Sequence, residues 1–223
     1  MHVRIVTPAK PGSLSGNRAT AERWAGLLRE SGHTAEVVAS DDPGAADDGA
    51  DAAIALHAWR SAEAIVTLRA RFPDRPLIVA MTGTDIYKFQ HTEPETTAAS
   101  MDAADVLIGL HAAVAEDLPE RHRGKLHPVY QSTTRFPASY RERVDNPREI
   151  RVCVVGHLRA EKDPLRTAYA AAGLADDVRL TVHHAGRAHD ESWAEAARAE
   201  MARNPRYTWH GELPHGRVRK LMA

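Results

Sequence analysis

The sequence predicts an α/β protein of two Rossmann-like domains facing a cleft, the second of them short. Three observations predict it. Apolar runs of strand length alternate with stretches of helical periodicity, the pattern of a parallel sheet covered on both faces. The alternation ends near Gln131 and begins again at Ile150. Between them, 132–149 ("STTRFPASYRERVDNPRE") holds two prolines and many charges without periodicity, as a linker does. The expected division is 1–131, a linker over 132–149, and 150–223.

The elements follow in order. Strands are expected in "HVRIVT", "TAEVVA", "DAAIALH", "PLIVAM", "DVLIG" and "KLHPVYQ". Their residues are largely β-branched or small and apolar, which suits a strand buried on both sides. The first helix runs through "AERWAGLLRESGH"; Thr20, Trp24, Leu27 and Leu28 share one face, with Glu22, Arg23 and Arg29 elsewhere. "DDPGAADDGAD" reads as a solvated acidic loop and "PERHRGK" as a solvated turn. The second unit offers strands in "IRVCVVGH", "VRLTVHHAG" and "RYTWHG", with helices over about Pro164–Ala172 and Glu191–Arg203. "GRVRKLMA" reads as the start of another helix with no closing cap, so the sequence is expected to be a fragment of a longer protein.

Composition narrows the function. The chain has 223 residues, 43% hydrophobic and 26% charged, with a formal net charge of −1. So neutral a chain has no global field drawing it to nucleic acid or to an anionic membrane. No apolar stretch reaches the length of a bilayer span. The start shows no leader pattern, and the lone Cys153 has no thiol to pair with. These point to the cytoplasm and to an inert, buried thiol. His183, His184 and His189 lie in "HHAGRAHD", but adjacent strand residues point to opposite faces, so no metal site is expected. Nothing in the sequence points to an oligomeric state.

In parallel sheets, ligands sit beyond the carboxyl ends of the strands, so candidates are sought there. After the first strand, "TPAKPGSLSGNRAT" supplies Gly12, Ser13, Ser15, Gly16, Asn17 and Arg18. Its spacing is neither a Walker A loop nor G-x-G-x-x-G. Glycines allow close approach, helix-start amides favour an anion, and Arg18 could grip it bidentately. The same residues also read as a simple turn whose serine and asparagine cap the helix. After the third strand come His57, Arg60 and Ser61. After the fourth, "TGTDIY" brings Thr82, Gly83, Thr84, Asp85 and Tyr87, with Asp85 alternatively capping a helix. Gln131 and Ser132 follow the sixth. The second unit opens with "VVGHLRAEKDP", where Gly156 ends a strand and His157, Arg159 and Lys162 follow. Two cations three residues apart at that place suit a diphosphate leaving group.

The strings "PGSLSGNRATAERWAGLLRESGH", "LHAWRSA", "TGTDIY", "VYQS", "VCVVGHLRAEKDPLRTAYAA" and "NPRYTWHGELPH", in this order, resemble the selenosugar synthases of selenoneine biosynthesis. These are GT-B glycosyltransferases of the group-1 (family 4) clan. The resemblance implies that selenophosphate attacks the anomeric carbon of UDP-N-acetylglucosamine, with both as small-molecule substrates and no cofactor. It implies that Lys162 holds the donor diphosphate, with Arg159 in the role of an arginine that the clan often has at the position of His157. The expected catalytic residues are Arg159, Lys162 and Asp85. Thr82 stands where the clan often has histidine, so a histidine role does not carry over. A Glu–x7–Glu element that touches the donor in the clan is not reached before residue 223. Two other readings compete: a transferase to a hydroxyl acceptor, and a module that binds a nucleotide sugar or phosphate without turnover.

Overall fold

The computed structural model describes residues 1–47, 49–135 and 149–223. Most of the expected linker, 136–148, lies outside the described residues. The chain divides into two compact units, Met1–Thr133 and Thr134–Ala223.

The first unit runs β1 (His2–Thr7), α1 (Gly16–Glu30), β2 (Thr34–Ala39), β3 (Ala52–Leu56), α2 (Ala62–Arg71), β4 (Leu77–Met81), α3 (Gln90–Thr92), α4 (Pro94–Ala103), β5 (Val106–Gly109), α5 (Val114–Asp117), α6 (Glu120–Arg123) and β6 (Leu126–Pro128). Its sheet has the order β2-β1-β3-β4-β5-β6 with all pairs parallel. Every strand therefore ends at the same edge. Every residue of β3 is buried, which explains why "AAIAL" shows no polar alternation. One core layer joins Val79, Leu107, Ile65 and Met101. The other joins Ile5, Leu56 and Ala80 to α1. Burying a side chain the size of Ile65 stabilises the unit by about 1.5–3 kcal/mol.

Three expectations are corrected here. The face of α1 that meets the sheet centres on Ala21 and Ala25, both fully buried, with Trp24 and Leu28 flanking them. Small residues let the helix axis approach the sheet, so the large apolar residues fall to the sides. The acidic loop is not wholly solvated: a 3-10 turn over Pro43–Ala46, capped by Asp42, buries Ala45 and Ala46 in the core. "PERHRGK" forms α6, whose His122 is buried and bonded to Asp102 at 2.7 Å.

The second unit runs β7 (Ile150–Val155), α7 (Arg166–Ala172), β8 (Leu180–Ala185), α8 (Glu191–Arg203), β9 (Tyr207–Trp209) and α9 (His215–Met222). The strands are parallel in the order β7-β8-β9. Its core gathers Leu158, Leu165, Ala168, Val182, Ala197 and Tyr207. α7 begins two residues later than expected, because a 3-10 turn over Ala160–Lys162 precedes it. Cys153 is half-buried on β7, and burial raises its thiol pKa.

Candidate functional site

In the first unit the site begins where β3 and β4 end side by side. His57, the residue after β3, is buried and has φ of +73°. That conformation is costly for any residue with a Cβ, and such strain concentrates at functional sites. The backbone N–H of Arg60 donates to His57 Nδ1 at 3.1 Å. Nδ1 is therefore the bare nitrogen, and Nε2 carries the hydrogen that it donates to Thr84 Oγ1 at 2.9 Å. Burial lowers the pKa of His57, and the Arg60 charge lowers it further, against an opposing pull from Asp85. The imidazole is neutral and its direction fixed. Thr84, having accepted this bond, keeps its own hydroxyl hydrogen to donate.

Asp85 is fully buried. One carboxylate oxygen accepts from the backbone N–H groups of Ala58 and Thr82, both at 3.0 Å, and the other from Gly83 at 2.7 Å. Its oxygens are thus used in stapling the loop after β4 to the loop after β3. In this structure Asp85, expected from the sequence to be catalytic, positions the two loops through these three bonds, and it caps no later amide among the described residues. Gly83 has φ of +123°, which is open only to glycine at low cost. Asp85–Phe89 then forms one turn of π-helix, a local irregularity common at functional sites. Thr82 Oγ1 is buried with no hydrogen-bond partner among the described residues.

The loop after β1 is built as expected but lacks its expected charge. Gly12 has φ of +80°, and Ser13 N–H closes a turn on the Lys10 carbonyl. Ser15 caps α1 by accepting from Arg18 N–H, and Ser13 Oγ accepts from Ser15 N–H. The N–H groups of Gly16 and Asn17 have no acceptor among the described residues. The Arg18 guanidinium, however, is paired with Glu22 one turn along the helix and is only 13% exposed. The loop offers amides to an anion; its arginine has Glu22 as a counter-charge, while Arg18 Nη1 is buried with no hydrogen-bond partner among the described residues.

Tyr87 is exposed, and its hydroxyl lies 3.0 Å from His111 Nε2, beyond the end of β5. Burial and the nearby Asp117 carboxylate raise the tyrosine pKa. Sequence reasoning did not single out His111; only its place two residues past an apolar run marks it. Gln131 and Ser132 lie three and four residues past the end of β6, and Ser132 accepts from Arg23 Nε at 3.4 Å.

In the second unit, Gly156 and the loop after it are held by several hydrogen bonds, including Gly156 N–H to the Ala185 carbonyl and Leu158 N–H to the Arg187 carbonyl. His184 Nε2 donates to the Gly156 carbonyl at 3.0 Å, while His184 Nδ1 lies 3.0 Å from the Tyr207 hydroxyl, which donates to it. His157 Nδ1 accepts from Arg187 N–H at 3.1 Å. Burial keeps His184 neutral and raises the pKa of Tyr207. Gly186 is indispensable to this meeting: a Cβ there would lie 1.8 Å from the Gly156 carbonyl oxygen. The sequence reading named neither Gly186 nor the His184–Tyr207 pair as part of the site; the signal was "HHAG" at a strand end. Beyond Leu158, Arg159 Nε is buried without a hydrogen-bond partner among the described residues and lies 3.9 Å from Glu161. Lys162 is exposed, and its ammonium has no partner among the described residues. Among the described residues no group of three or more His, Cys, Asp or Glu is placed to hold a metal ion. His183 faces His210 at 3.1 Å instead. No helix among the described residues is long and apolar enough to cross a membrane.

No protein-family model and no curated protein matches this sequence. Solved structures match the fold. HepE of Anabaena in complex with UDP-glucose superposes over 100% of this chain and 71% of its own, with a TM-score of 0.64 and 14% identity. The lipopolysaccharide outer core galactosyltransferase WaaB, in its apo form, matches 97% of this chain and 69% of its own, with a TM-score of 0.59 and 12% identity. The UDP-N-acetylglucosamine 2-epimerase of Rickettsia bellii matches 99% and 71%, with a TM-score of 0.55 and 10% identity. At such identities the likeness establishes architecture, and these neighbours differ in chemistry. The fold expected from the sequence, α/β of the GT-B type, is the one observed.

Proposed function

We propose that this chain transfers a sugar from a nucleotide donor and, more specifically, forms a carbon–selenium bond as a selenosugar synthase. In the proposed reaction the selenium of selenophosphate attacks C1 of UDP-N-acetylglucosamine. The C1–O bond breaks and its electron pair leaves on the UDP diphosphate. Water then cleaves the P–Se bond: hydroxide goes to phosphorus, a proton to selenium, and inorganic phosphate departs from 1-seleno-N-acetylglucosamine. A polarisable selenium anion needs little help from a base, so the main electrostatic task is to stabilise the departing diphosphate. The reading needs no metal or cofactor and places the protein in a reducing cytoplasm, where Cys153 stays a thiol.

The observation that carries the reading is the Gly156–Lys162 loop. It brings Arg159 and Lys162 to the carboxyl end of β7 and is fixed by His184 and Gly186. Structural neighbours crystallised with UDP or UDP-glucose support a nucleotide-sugar donor. The sequence resemblance supports selenophosphate as acceptor. Arg159→Ala and Lys162→Ala should each lower UDP release from UDP-N-acetylglucosamine by about 100-fold with little change in melting temperature. Unchanged turnover in both variants would remove the leaving-group assignment.

One observation favours a second reading, transfer to a hydroxyl acceptor: the half-buried imidazole of His111 is already engaged with a hydroxyl, as a general base would be. UDP release that requires a carbohydrate alcohol, and is lost in His111→Ala, would select it.

A further inference from the structure

We propose that Arg60 and Lys88, gathered on the ring of Phe89, form the subsite for the tetrahedral oxyanion that accepts the sugar, in place of the Gly12–Arg18 loop. This rests on the transferase reading above and deepens it.

Four observations carry it. First, two cations neighbour one ring: the Arg60 guanidinium lies 5.9 Å and the Lys88 ammonium 5.5 Å from the Phe89 ring centroid. Second, both side chains are exposed, and neither has a carboxylate within ion-pair distance among the described residues. By contrast, Arg18 carries Glu22 as a counter-charge on its Nη2, although its buried Nη1 has no hydrogen-bond partner among the described residues, and Lys10 lies 3.1 Å from Asp41. Two unneutralised cations, each within about 6 Å of the same ring centroid, hold a standing positive potential that a dianion relieves. Third, their platform is rigid. Trp59 stacks on Phe89 with centroids 3.9 Å apart and planes 7° apart, and His57 lies 5.7 Å from the same ring. Fourth, both cations flank the strained strand ends. Arg60 gives its N–H to His57 Nδ1, and Lys88 sits in the π-turn that Gly83 and Asp85 set up. The Thr84 hydroxyl, bonded to His57 at 2.9 Å, supplies a neutral donor at the same strand ends.

The ligand class is a small phosphate-type dianion. Its source is either a free ion such as selenophosphate or a phosphate monoester on a larger acceptor, and the shared feature is a tetrahedral PO3 head. Arg60 grips it through two N–H donors and Lys88 as a point charge.

The test is binding by the whole chain without nucleotide sugar, measured by calorimetry with thiophosphate, inorganic phosphate and glucose 6-phosphate as probes. Arg60→Gln and Lys88→Gln should each weaken thiophosphate binding at least tenfold, and binding should weaken with salt. Arg198→Gln, on α8 and paired with Glu191, should bind as wild type. Preference for thiophosphate over glucose 6-phosphate identifies the free ion, and the reverse identifies the monoester. Undiminished binding in both variants overturns the proposal. The two readings fail separately. Anion binding that depends on Arg60 and Lys88 without any sugar transfer keeps the subsite and removes the transferase. Transfer to selenophosphate that is indifferent to both variants keeps the transferase and removes the subsite. Because melting temperatures are read on the same samples, a folding defect is distinguished from a lost contact.

Discussion

His57 shows how much a single residue can reveal. Its left-handed backbone costs about 1–2 kcal/mol for any residue with a Cβ, so replacing it should reverse the usual order of stability. His57→Gly should melt above His57→Ala by about 1 kcal/mol at 25 °C in denaturant titration, although both lose the bond to Thr84. The opposite order would mean that the backbone is not held in that region. Asp85 makes a second test. Asparagine has one acceptor oxygen where three amides converge, so Asp85→Asn should cost about 1–3 kcal/mol. Melting temperature and turnover should fall together; a loss of turnover alone would return Asp85 to direct contact with substrate. Gly186→Ala should destabilise the second unit by about 2 kcal/mol or more, because the alanine methyl would have to displace the Gly156 backbone. At this scale the sequence was only partly legible. "TGTDIY" was marked because of where it falls after a strand. That Asp85 faces inward to amides, and that Arg18 folds back to Glu22, depends on side-chain directions that residue spacing does not encode.

At the scale of elements, β8 carries a pH signature. His183 and His184 are neighbours on one strand and so find different partners, His210 and the Tyr207–Gly156 pair. Burial lowers both pKa values from the ordinary 6.5. Around His183, His210 and Arg151 lower it further and Glu149 opposes them; at His184 only the bond to the Gly156 carbonyl opposes. Above about pH 6.5 neither folded nor unfolded chain binds the proton, and stability is flat. Below it the unfolded chain takes protons that the folded unit refuses, so stability falls with pH. The melting temperature should drop between pH 7.5 and 5.5, with His57 contributing in the first unit, and His183→Gln should shrink the drop. An unaltered slope in that variant would contradict the assignment. At α1, Ser15→Ala should cost about 1 kcal/mol through the lost cap. Strand positions were readable because continuous apolar runs such as "AAIAL" leave few alternatives. The buried face of α1 was misplaced because small alanines carry little weight in a hydrophobic pattern, yet they permit the closest approach.

At the scale of the molecule, two parallel-sheet units each end in a polar edge. The first presents oriented donors and two unneutralised cations, the second an ordered loop with Arg159 and Lys162. In the proposed reaction the first edge takes the anionic acceptor and the second the diphosphate leaving group. The α/β alternation was legible from the sequence, and the solved structures bear out the GT-B type. The acceptor is a matter of chemistry that the fold does not decide, since the same architecture serves a galactosyltransferase and an epimerase. The most direct measurement is therefore of product. The protein is incubated with UDP-N-acetylglucosamine and either selenophosphate, thiophosphate or inorganic phosphate, and the products are read by mass spectrometry beside UDP release. A selenium-containing N-acetylglucosamine formed in step with UDP is the predicted result. UDP released only when a hydroxyl acceptor is supplied, or no UDP at all, would contradict it.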